Sequence, residues 1–482
     1  MTVLGYIVFT LYTCGIVGLG VLLEQKSRLS SVTCRKLTHM LSAVIWIICY
    51  AFFGFSIHWI LLNGLSVLAL AVTTFSPRIG FFEKADRKNS IGLFYFSLST
   101  FLVALVCFFV GEELYLYTGI AYFCLSLGDG LAPITAALFK KHNPHVLPSK
   151  TLVGCLTVFL VSALATGVFS WVFEMHLSPL FVFSVAGLTC IAELYGVRGL
   201  DNLFIEFSVF GYLLLFHFGL ASLPLQTVLV VCPFLAFVAV GSKTMTQGAG
   251  VCSFLLFALV GFFGGDFLPV SFIAALFAVS TVVAVVTKKR NKRSSAVKQA
   301  HTARKSRQII AVGLFALISI GVYFFTDVAV FRYIFFLALT EQFADSMASD
   351  VGSLTKGKNV SIVTLRPIEK GISGGVSLLG TVSALVASFA LMLLPLACGA
   401  LSPTAYLAIS ALAFVGTLID SVVGALFQAL YRCDTCNSPT EATIHCDRPA
   451  RLVKGFRLID NVAVNYIAGF ATCLLGGLLV LL

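Results

Sequence analysis

The segment GDGLAPITAALFKKHNPHVLPSKTLVG, residues 128–154, connects two apolar stretches through a polar loop. Asp129 sits in a Gly-Asp-Gly bend at its start, and Lys150 comes near its end, just before Thr151 and Gly154. A carboxylate at the end of an apolar span is costly and usually serves a metal, a partner or a reaction. Because a helix N-terminus carries free N–H groups and partial positive charge, the end of this segment is predicted to bind phosphate.

The same order of acid, lysine and glycine recurs later in the chain. The stretch ADSMASDVG supplies Asp345, and the stretch KGISGG supplies Lys370 and Gly374. A further acid lies about 50 residues beyond each lysine, namely Asp201 and Asp420. The repeat suggests two related halves, each with its own polar site, and two successive reactions.

Composition places the chain in a membrane. Of its 482 residues, 59% are hydrophobic and 11% are charged, and the mean hydropathy is +1.00. Since about 20 apolar residues span a bilayer, the sequence predicts an all-α polytopic membrane protein with about 16 transmembrane helices in two related halves. The predicted domains are residues 1–221 and 222–482.

The charged residues are unevenly distributed about these predicted spans. The net charge is +11, and every lysine and arginine except Arg332 falls on one face of the predicted topology. By the positive-inside rule this face is cytoplasmic, and the polar motifs lie on it too. The charge therefore indicates topology and contact with anionic lipid, and nucleic-acid binding is not expected.

The polar residues of the first half suit phosphate chemistry. An aspartate beside phosphates usually holds Mg²⁺ or positions the attacking hydroxyl, as we expect for Asp129. Asp201 and Asn202 supply hard oxygen ligands of the same kind. The alternative is that Asp129 is a helix-end charge paired with Lys140 or Lys141.

Four motif groups follow one another within residues 30–220. They are Arg35-Lys36-x-x-His39, Gly128-Asp129-x-x-Ala132, Lys150-Thr151-x-x-Gly154, and Asp201-Asn202 preceded by Glu193. In this order they resemble the phytol kinase and dolichol kinase family, whose members use CTP and Mg²⁺ to phosphorylate an isoprenoid alcohol at a membrane. The sequence departs from that family at Val153, where an acid is usual.

This resemblance implies roles for the matching residues. The implied catalytic residues are Asp129, Lys150, Asp201 and Asn202, with Asp129 and Asp201 as Mg²⁺ ligands. The implied nucleotide- and phosphate-binding residues are Arg35, Lys36, His39, Thr151 and Gly154.

In the second half, acids gather near the ends of apolar stretches. Asp345 and Asp350 lie on one predicted helix with Glu341 one turn earlier. Three acids this close repel one another unless a cation sits among them. The predicted Mg²⁺ ligands of this half are Asp345, Asp350, Asp420, Asp460 and Asn461.

The run KGISGG forms a glycine-rich approach to the next span and suits a phosphate, although it lacks Walker A spacing. The predicted phosphate-binding residues here are Gly371, Gly374 and Gly375. The predicted catalytic residues of this half are Asp345, Lys370 and Asp420.

Three sequence stretches carry a second resemblance, over roughly residues 225–482. They are ADSMASDVG, KGISGGVSLLG and LIDSVVGALFQ, followed by an asparagine-rich ending before the last span. They resemble the membrane-protein family that includes plant phytyl-phosphate kinase, which turns a prenyl monophosphate into the diphosphate.

A separate cluster lies in the predicted cytoplasmic loop 428–461. Cys433-x-x-Cys436 precedes His445-Cys446, which gives four soft ligands within 14 residues and suits a structural zinc ion. Adjacent histidine and cysteine side chains rarely both reach one metal. Free thiols in a reducing compartment are therefore the alternative.

Together with these polar sites, the two resemblances imply a bifunctional membrane kinase that converts a prenol such as phytol, farnesol or geranylgeraniol to its monophosphate and then to its diphosphate. Its partners would be CTP, Mg²⁺, the isoprenoid and the bilayer. One alternative is a phosphatidate cytidylyltransferase-like CDP-lipid synthase, which also uses CTP and membrane acids. Another is a transporter, whose polar groups should lie near mid-membrane rather than at one face.

Overall fold

A computed structural model describes residues 2–26, 31–75, 87–140, 143–147, 150–196, 199–241, 245–293, 304–355, 357–369 and 372–481 of the chain. Within these residues, ten helices are long and apolar enough to cross a membrane, and five shorter helices are also apolar. The protein is an all-α polytopic membrane protein, as predicted. Its short β-strands lie in the loops between helices.

The chain divides into two compact units, Met1–Ser242 and Lys243–Leu482. The helices of the first unit are α1 Thr2–Lys26, α2 Ser31–Leu41, α3 Ala43–Phe52, α4 Ile57–Phe75, α5 Arg87–Val110, α6 Tyr115–Phe123, α7 Gly130–Leu138, α8 Leu152–Val172, α9 Pro179–Tyr195, α10 Leu200–His217 and α11 Leu223–Gly241. A π-helical turn, Cys124–Asp129, joins α6 to α7. Strands β1 His145–Leu147 and β2 Lys150–Thr151 form an antiparallel hairpin before α8.

The second unit contains seven helices among its described residues. They are α12 Gln247–Phe263, α13 Phe267–Arg293, α14 Ser306–Thr326, α15 Ala329–Gly352, α16 Leu378–Ala397, α17 Pro403–Phe427 and α18 Asn461–Leu481. The strands before α16 are β3 Asn359–Ser361, β4 Pro367–Ile368 and β5 Gly375–Val376; those before α18 are β6 Leu430–Arg432, β7 Pro439–Thr440, β8 Ile444–His445, β9 Arg448–Pro449 and β10 Arg451–Lys454. They pair in the orders β4-β3-β5, β10-β6-β7 and β8-β9.

The predicted count of about 16 transmembrane helices is not confirmed. Helix α15 contains the thirteenth predicted span, but it is not one of the ten described helices that are long and apolar enough to cross a membrane. It carries Arg332, Glu341 and Asp345 along its apolar length. Charges are expensive in hydrocarbon, so composition alone does not identify this helix as a span.

Each unit is built around one buried helix. In the first, α9 begins at the N-cap Ser178 and Pro179, packs against α8, α10 and α11, and buries Phe181. In the second, α15 packs against α13, α14, α16, α17 and α18 and buries Phe335 and Phe336. Both central helices carry a buried acid, Glu193 on α9 and Glu341 on α15.

The helix α11 belongs to the first unit, so the structural division falls one helix after the predicted boundary at 221/222. Pro233 has no N–H, which leaves the Leu229 carbonyl without its usual helical donor. That carbonyl lies against Gly187 on α9, where a Cβ atom would come within 2.0 Å of the oxygen. Close backbone approach at Gly187 therefore fixes α11 onto α9.

We predict that Gly187→Ala destabilises the first unit by about 1–3 kcal/mol, because the added methyl group overlaps the Leu229 carbonyl. Thermal unfolding of the detergent-solubilised protein would measure this. Gly167→Ala on α8 is the matched control, since nothing lies within 4 Å of a Cβ there. Equal melting temperatures for the two variants would contradict the packing argument.

Candidate functional site

Asp129 ends the π-helical turn, and its side chain is buried. The Gly-Asp-Gly bend expected from the sequence is instead a right-handed helical turn that continues into α7. Lys36 on α2 donates to Asp129 Oδ2, and His39 Nδ1, one turn further along α2, lies 3.4 Å from the same oxygen. Asp129 is thus paired with Lys36 rather than with Lys140, and Lys141 lies outside the described residues.

Lys150 joins the same group from β2, just before α8. Its Nζ lies 2.5 Å from Glu193 Oε1 on α9 and 3.5 Å from Asp201 Oδ2 on α10. Burial alone would lower the pKa of Lys150, but the carboxylates of Glu193 and Asp201 outweigh burial and raise that pKa. The lysine therefore stays charged among these acids.

Three carboxylates from separate elements meet at this point. Oxygens of Asp129, Glu193 and Asp201 all lie within 4.8 Å of one another. Glu193 Oε2 is buried and has no hydrogen-bond partner in the described part of the chain. Carboxylate oxygens gathered in this way are the ligands that Mg²⁺ prefers. The geometry can therefore hold a divalent cation beside Lys150.

The start of α8 is capped from within the protein. Thr151 Oγ1 accepts from the Gly154 N–H at 3.3 Å, and Asn143 Oδ1 accepts from the Val153 N–H at 3.0 Å. The N–H of Leu152, the first residue of α8, donates to the carbonyl of Pro144. The free N–H groups expected at this helix end are thus already hydrogen-bonded within the protein, which leaves Lys150 as the positive group at the start of α8.

The side chain of Asn202 contacts α5 and is not part of the carboxylate cluster of Asp129, Glu193 and Asp201. Its Nδ2 donates to the Gly92 carbonyl on α5 at 2.6 Å, which holds the start of α10 against α5. Its Oδ1 is buried and without a partner among the described residues. Arg35 lies on α2 beside Lys36.

The structure adds one acid that the sequence analysis did not single out. Glu206 on α10 is fully buried, and its Oε2 accepts from Ser99 at 2.5 Å and from Thr100 at 3.0 Å. In the sequence, Glu193 stands out only through the resemblance to the phytol kinase and dolichol kinase family. The available signal for both was a lone glutamate inside an apolar helix.

In the second unit, α15 presents Glu341 and Asp345 one helical turn apart. Glu341 is fully buried; its Oε2 accepts from Gln342 Nε2 at 2.7 Å, and its Oε1 has no partner among the residues described. Asp345 on the same helix and Asp420 on α17 are close enough to Glu341 for their carboxyl groups to interact electrostatically. Gly416 on α17 leaves space for the Glu341 side chain, because a Cβ at this position would lie 2.5 Å from Glu341 Cγ.

Asp420 faces α18. In the amide orientation that satisfies its surroundings, Asn465 Nδ2 donates to Asp420 Oδ2 at 3.3 Å. Unlike the first unit, the described part of the second unit brings no three carboxylates within 4.8 Å of one another. The predicted Mg²⁺ ligands of this unit are therefore more dispersed than those of the first.

Asp460 and Asn461 stand at the start of α18. Asp460 Oδ1 accepts from the Ala463 N–H at 2.9 Å, and its Oδ2 lies 3.4 Å from Arg307 Nη1. Asn461 is the first residue of the helix. Asp460 thus caps α18, a role that competes with the predicted ligation of Mg²⁺.

The glycine-rich stretch of the second unit is only partly described, since Lys370 and Gly371 lie outside the described residues. Gly374 has a φ of +79°, and a Cβ there would lie 2.3 Å from that of Ala425 on α17. Gly375 begins β5, which pairs with β3. These two glycines therefore place a strand against α17, as only glycine permits at Gly374.

An apolar pocket of about 460 Å³ lies between α13, α15 and α16. Ala275, Phe343, Met347 and Leu391 are among its lining residues. Asp350 lies one turn beyond Met347 on the same face of α15. The pocket is thus lined almost entirely by apolar side chains, with Ser383 as its one polar lining residue.

The four soft ligands of the loop between α17 and α18 converge. Atoms of Cys433, Cys436, His445 and Cys446 all lie within 4.8 Å of one another. His445 Nδ1 is 3.5 Å from Cys436 Sγ and 3.3 Å from Cys446 Sγ. The adjacent His445 and Cys446 side chains therefore reach one point.

We predict that Lys150→Met destabilises the first unit by roughly 3 kcal/mol, because it leaves the buried Glu193 carboxylate without its cation. Thermal unfolding in detergent would measure the loss. Adding Glu193→Gln to this variant should restore part of it, since the uncompensated charge is then gone. Lys140→Met, at an exposed lysine, is the control. A double variant no more stable than Lys150→Met would contradict the pairing.

Comparisons with known proteins give relatives mainly of unassigned function. Protein PGR of Arabidopsis thaliana is 31% identical over 145 residues, which cover 27% of this chain and 48% of that protein. An uncharacterised membrane protein of Synechocystis is 34% identical over 92 residues, covering 19% of this chain and 35% of the relative. Another uncharacterised membrane protein, from Methanocaldococcus jannaschii, is 26% identical over 215 residues, which cover 42% of this chain and 82% of that relative.

The chain thus spans about half of the Arabidopsis relative and about a third of the Synechocystis one. No solved structure matches it. The family described as "Integral membrane protein DUF92" matches residues 230–473, half of the chain. The chain therefore belongs to the DUF92 family of integral membrane proteins.

Proposed function

We propose that the protein is a membrane phosphotransferase for an isoprenoid alcohol such as phytol, farnesol or geranylgeraniol. The first unit would form the monophosphate and the second the diphosphate, with CTP as donor and Mg²⁺ as cofactor. The observation that carries the proposal is the cluster of Asp129, Glu193 and Asp201 around Lys150. A cluster of acids with an embedded lysine is suited to a metal-bound phosphate chain.

The residues of the first unit fit Mg²⁺. Asp129 and Asp201 would hold the ion, with Glu193 as a third oxygen donor whose Oε2 needs a partner. A Mg²⁺ ion held by these carboxylates would supply positive charge to offset that of the nucleotide phosphates. Lys150 would bind the transferred phosphoryl group as a point charge.

The first reaction needs alignment more than covalent chemistry. The prenol oxygen would form a bond to the γ-phosphorus of CTP, while the bond from that phosphorus to the bridging oxygen breaks and CDP leaves. The hydroxyl proton would pass to a carboxylate of the cluster. The charges of Lys36 and Lys150 would hold the nucleotide phosphates in place.

The second unit supports the next step through its acids and its apolar pocket. A phosphate oxygen of the prenyl monophosphate would attack a second γ-phosphorus, and CDP would leave again. Asp345, Asp350 and Asp420 are the groups that would hold Mg²⁺ there. The pocket of about 460 Å³ beside Met347 suits an isoprenoid chain.

The repeated motif order and the placement of basic charge also bear on the number and orientation of the sites. The recurring order of acid, lysine and glycine supports two related halves, and the one-sided basic charge supports sites that face the cytoplasm. Because the monophosphate would stay in the membrane, its effective concentration at the second site would be high. Joining both steps in one chain therefore favours the diphosphate as product.

We predict that Asp129→Asn lowers monophosphate formation by about 100-fold or more, because it removes charge from the cation site. Asp345→Asn should leave the first step intact and let the monophosphate accumulate. Purified protein with γ-labelled CTP and geranylgeraniol, followed by chromatography of labelled lipids, would measure both. Glu174→Gln, at an exposed acid beyond α8, is the control.

Two outcomes would reject this assignment. Diphosphate formed at the wild-type rate by Asp345→Asn would refute the division of labour. Label appearing in lipid from α-labelled but never from γ-labelled CTP, with release of pyrophosphate, would indicate a CDP-lipid synthase instead.

We also predict that the first step requires Mg²⁺ and that Asp201→Asn raises the half-saturating Mg²⁺ concentration about 10- to 100-fold, because a ligand oxygen loses its charge. Initial rates of monophosphate formation at increasing free Mg²⁺ would show the shift. An unchanged Mg²⁺ requirement in this variant would exclude Asp201 as a ligand.

A further inference from the structure

The loop between α17 and α18 contains two tight turns that aim their side chains at one point. In the first, the Asn437 N–H donates to the Cys433 carbonyl at 2.8 Å, and the Cys433 N–H donates to the Ser438 carbonyl at 3.0 Å. Asn437 closes the turn with a φ of +58°. This geometry wraps backbone around the thiols of Cys433 and Cys436.

The second turn is the β8–β9 hairpin. His445 pairs with Arg448, and the two residues between them, Cys446 and Asp447, have φ values of 51° and 57°. Two successive left-handed residues form the hairpin turn that matches strand twist. This turn explains how adjacent His445 and Cys446 side chains both face the thiols of the first turn.

The distances match a tetrahedral zinc ion. Zinc binds sulfur at about 2.3 Å and histidine nitrogen at about 2.0 Å, so the two atoms lie about 3.5 Å apart across a tetrahedral angle. His445 Nδ1 lies 3.5 and 3.3 Å from the sulfurs of Cys436 and Cys446. All three cysteines are free thiols, and Cys433 is buried.

We propose that Cys433, Cys436, His445 and Cys446 form a structural zinc site that fixes this loop. The site would also brace the glycine-rich stretch before α16. Glu441, between the two turns, accepts from the Ser373 N–H at 3.1 Å and from Ser373 Oγ at 2.5 Å. By fixing the loop, zinc would keep the Glu441 carboxylate hydrogen-bonded to Ser373, which lies just before β5. Neither part of this proposal depends on the proposed reaction.

The zinc content of the purified full-length protein tests the first part. Mass spectrometry of the metal should find about one zinc per chain in the wild type and about a tenth of that or less in Cys433→Ser and His445→Ala. Cys398→Ser is the control, because Cys398 is an exposed thiol at the end of α16. Wild-type zinc no higher than in Cys433→Ser, or a disulfide among the three cysteines, would overturn the site.

Amide hydrogen exchange of residues 372–377 tests the second part. Removing zinc with a chelator should speed exchange at Ser373 at least about tenfold, because its N–H loses a fixed acceptor. Glu441→Ala should speed it to the same extent with zinc still bound. If zinc is present and its removal leaves exchange at Ser373 unchanged, the bracing role is refuted while the zinc site stands.

Discussion

The pairing of buried carboxylates with lysines is the constraint on which the first unit depends. An acid withdrawn from water is tolerated only with a nearby cation or full hydrogen bonding. Lys36 meets this requirement for Asp129, and Lys150 meets it for Glu193 and Asp201. Because these five residues come from α2, the π-helical turn, β2, α9 and α10, satisfying the charges also fixes the ends of those elements against one another.

The second unit meets the same constraint by different means. Among the described residues, Gln342 donates a hydrogen bond to Glu341 and Asn465 donates one to Asp420, so neutral amides contact these two acids. Amides offer hydrogen bonds but no compensating charge, and the described part of this unit shows no ion pair to Glu341 or Asp345. The described acids of the two units thus contact different kinds of side chain, although the sequence places acid, lysine and glycine in the same order in both halves.

Sequence patterns predicted what depends on local chemistry. Apolar length predicted an all-α membrane protein, and the cost of burying acids drew attention to Asp129 and Asp201, which the structure brings together. The pairing of Lys36 with Asp129 joins positions 93 residues apart, which no local spacing encodes. Short polar residues at helix starts were ambiguous as well, because capping and ligand binding select the same types. Thr151 and Asp460 both act as caps in the structure.

The geometry of α15 constrains how a lipid substrate would bind in the second unit. Glu341 and Asp345 share one face, whereas Phe343 and Met347 line the pocket on a face rotated by about 200°. Asp350 belongs to the pocket face. Near it, Ala348 and Gly352 lie so close to Gly380 on α16 that a Cβ at Gly380 would come within 2.8 Å of the Ala348 carbonyl. This close approach brings the backbones of α15 and α16 together next to Val351 and Ser383, which line the pocket. An isoprenoid chain in this pocket would therefore lie on the face of α15 that carries Asp350, and not on the face that carries Glu341 and Asp345.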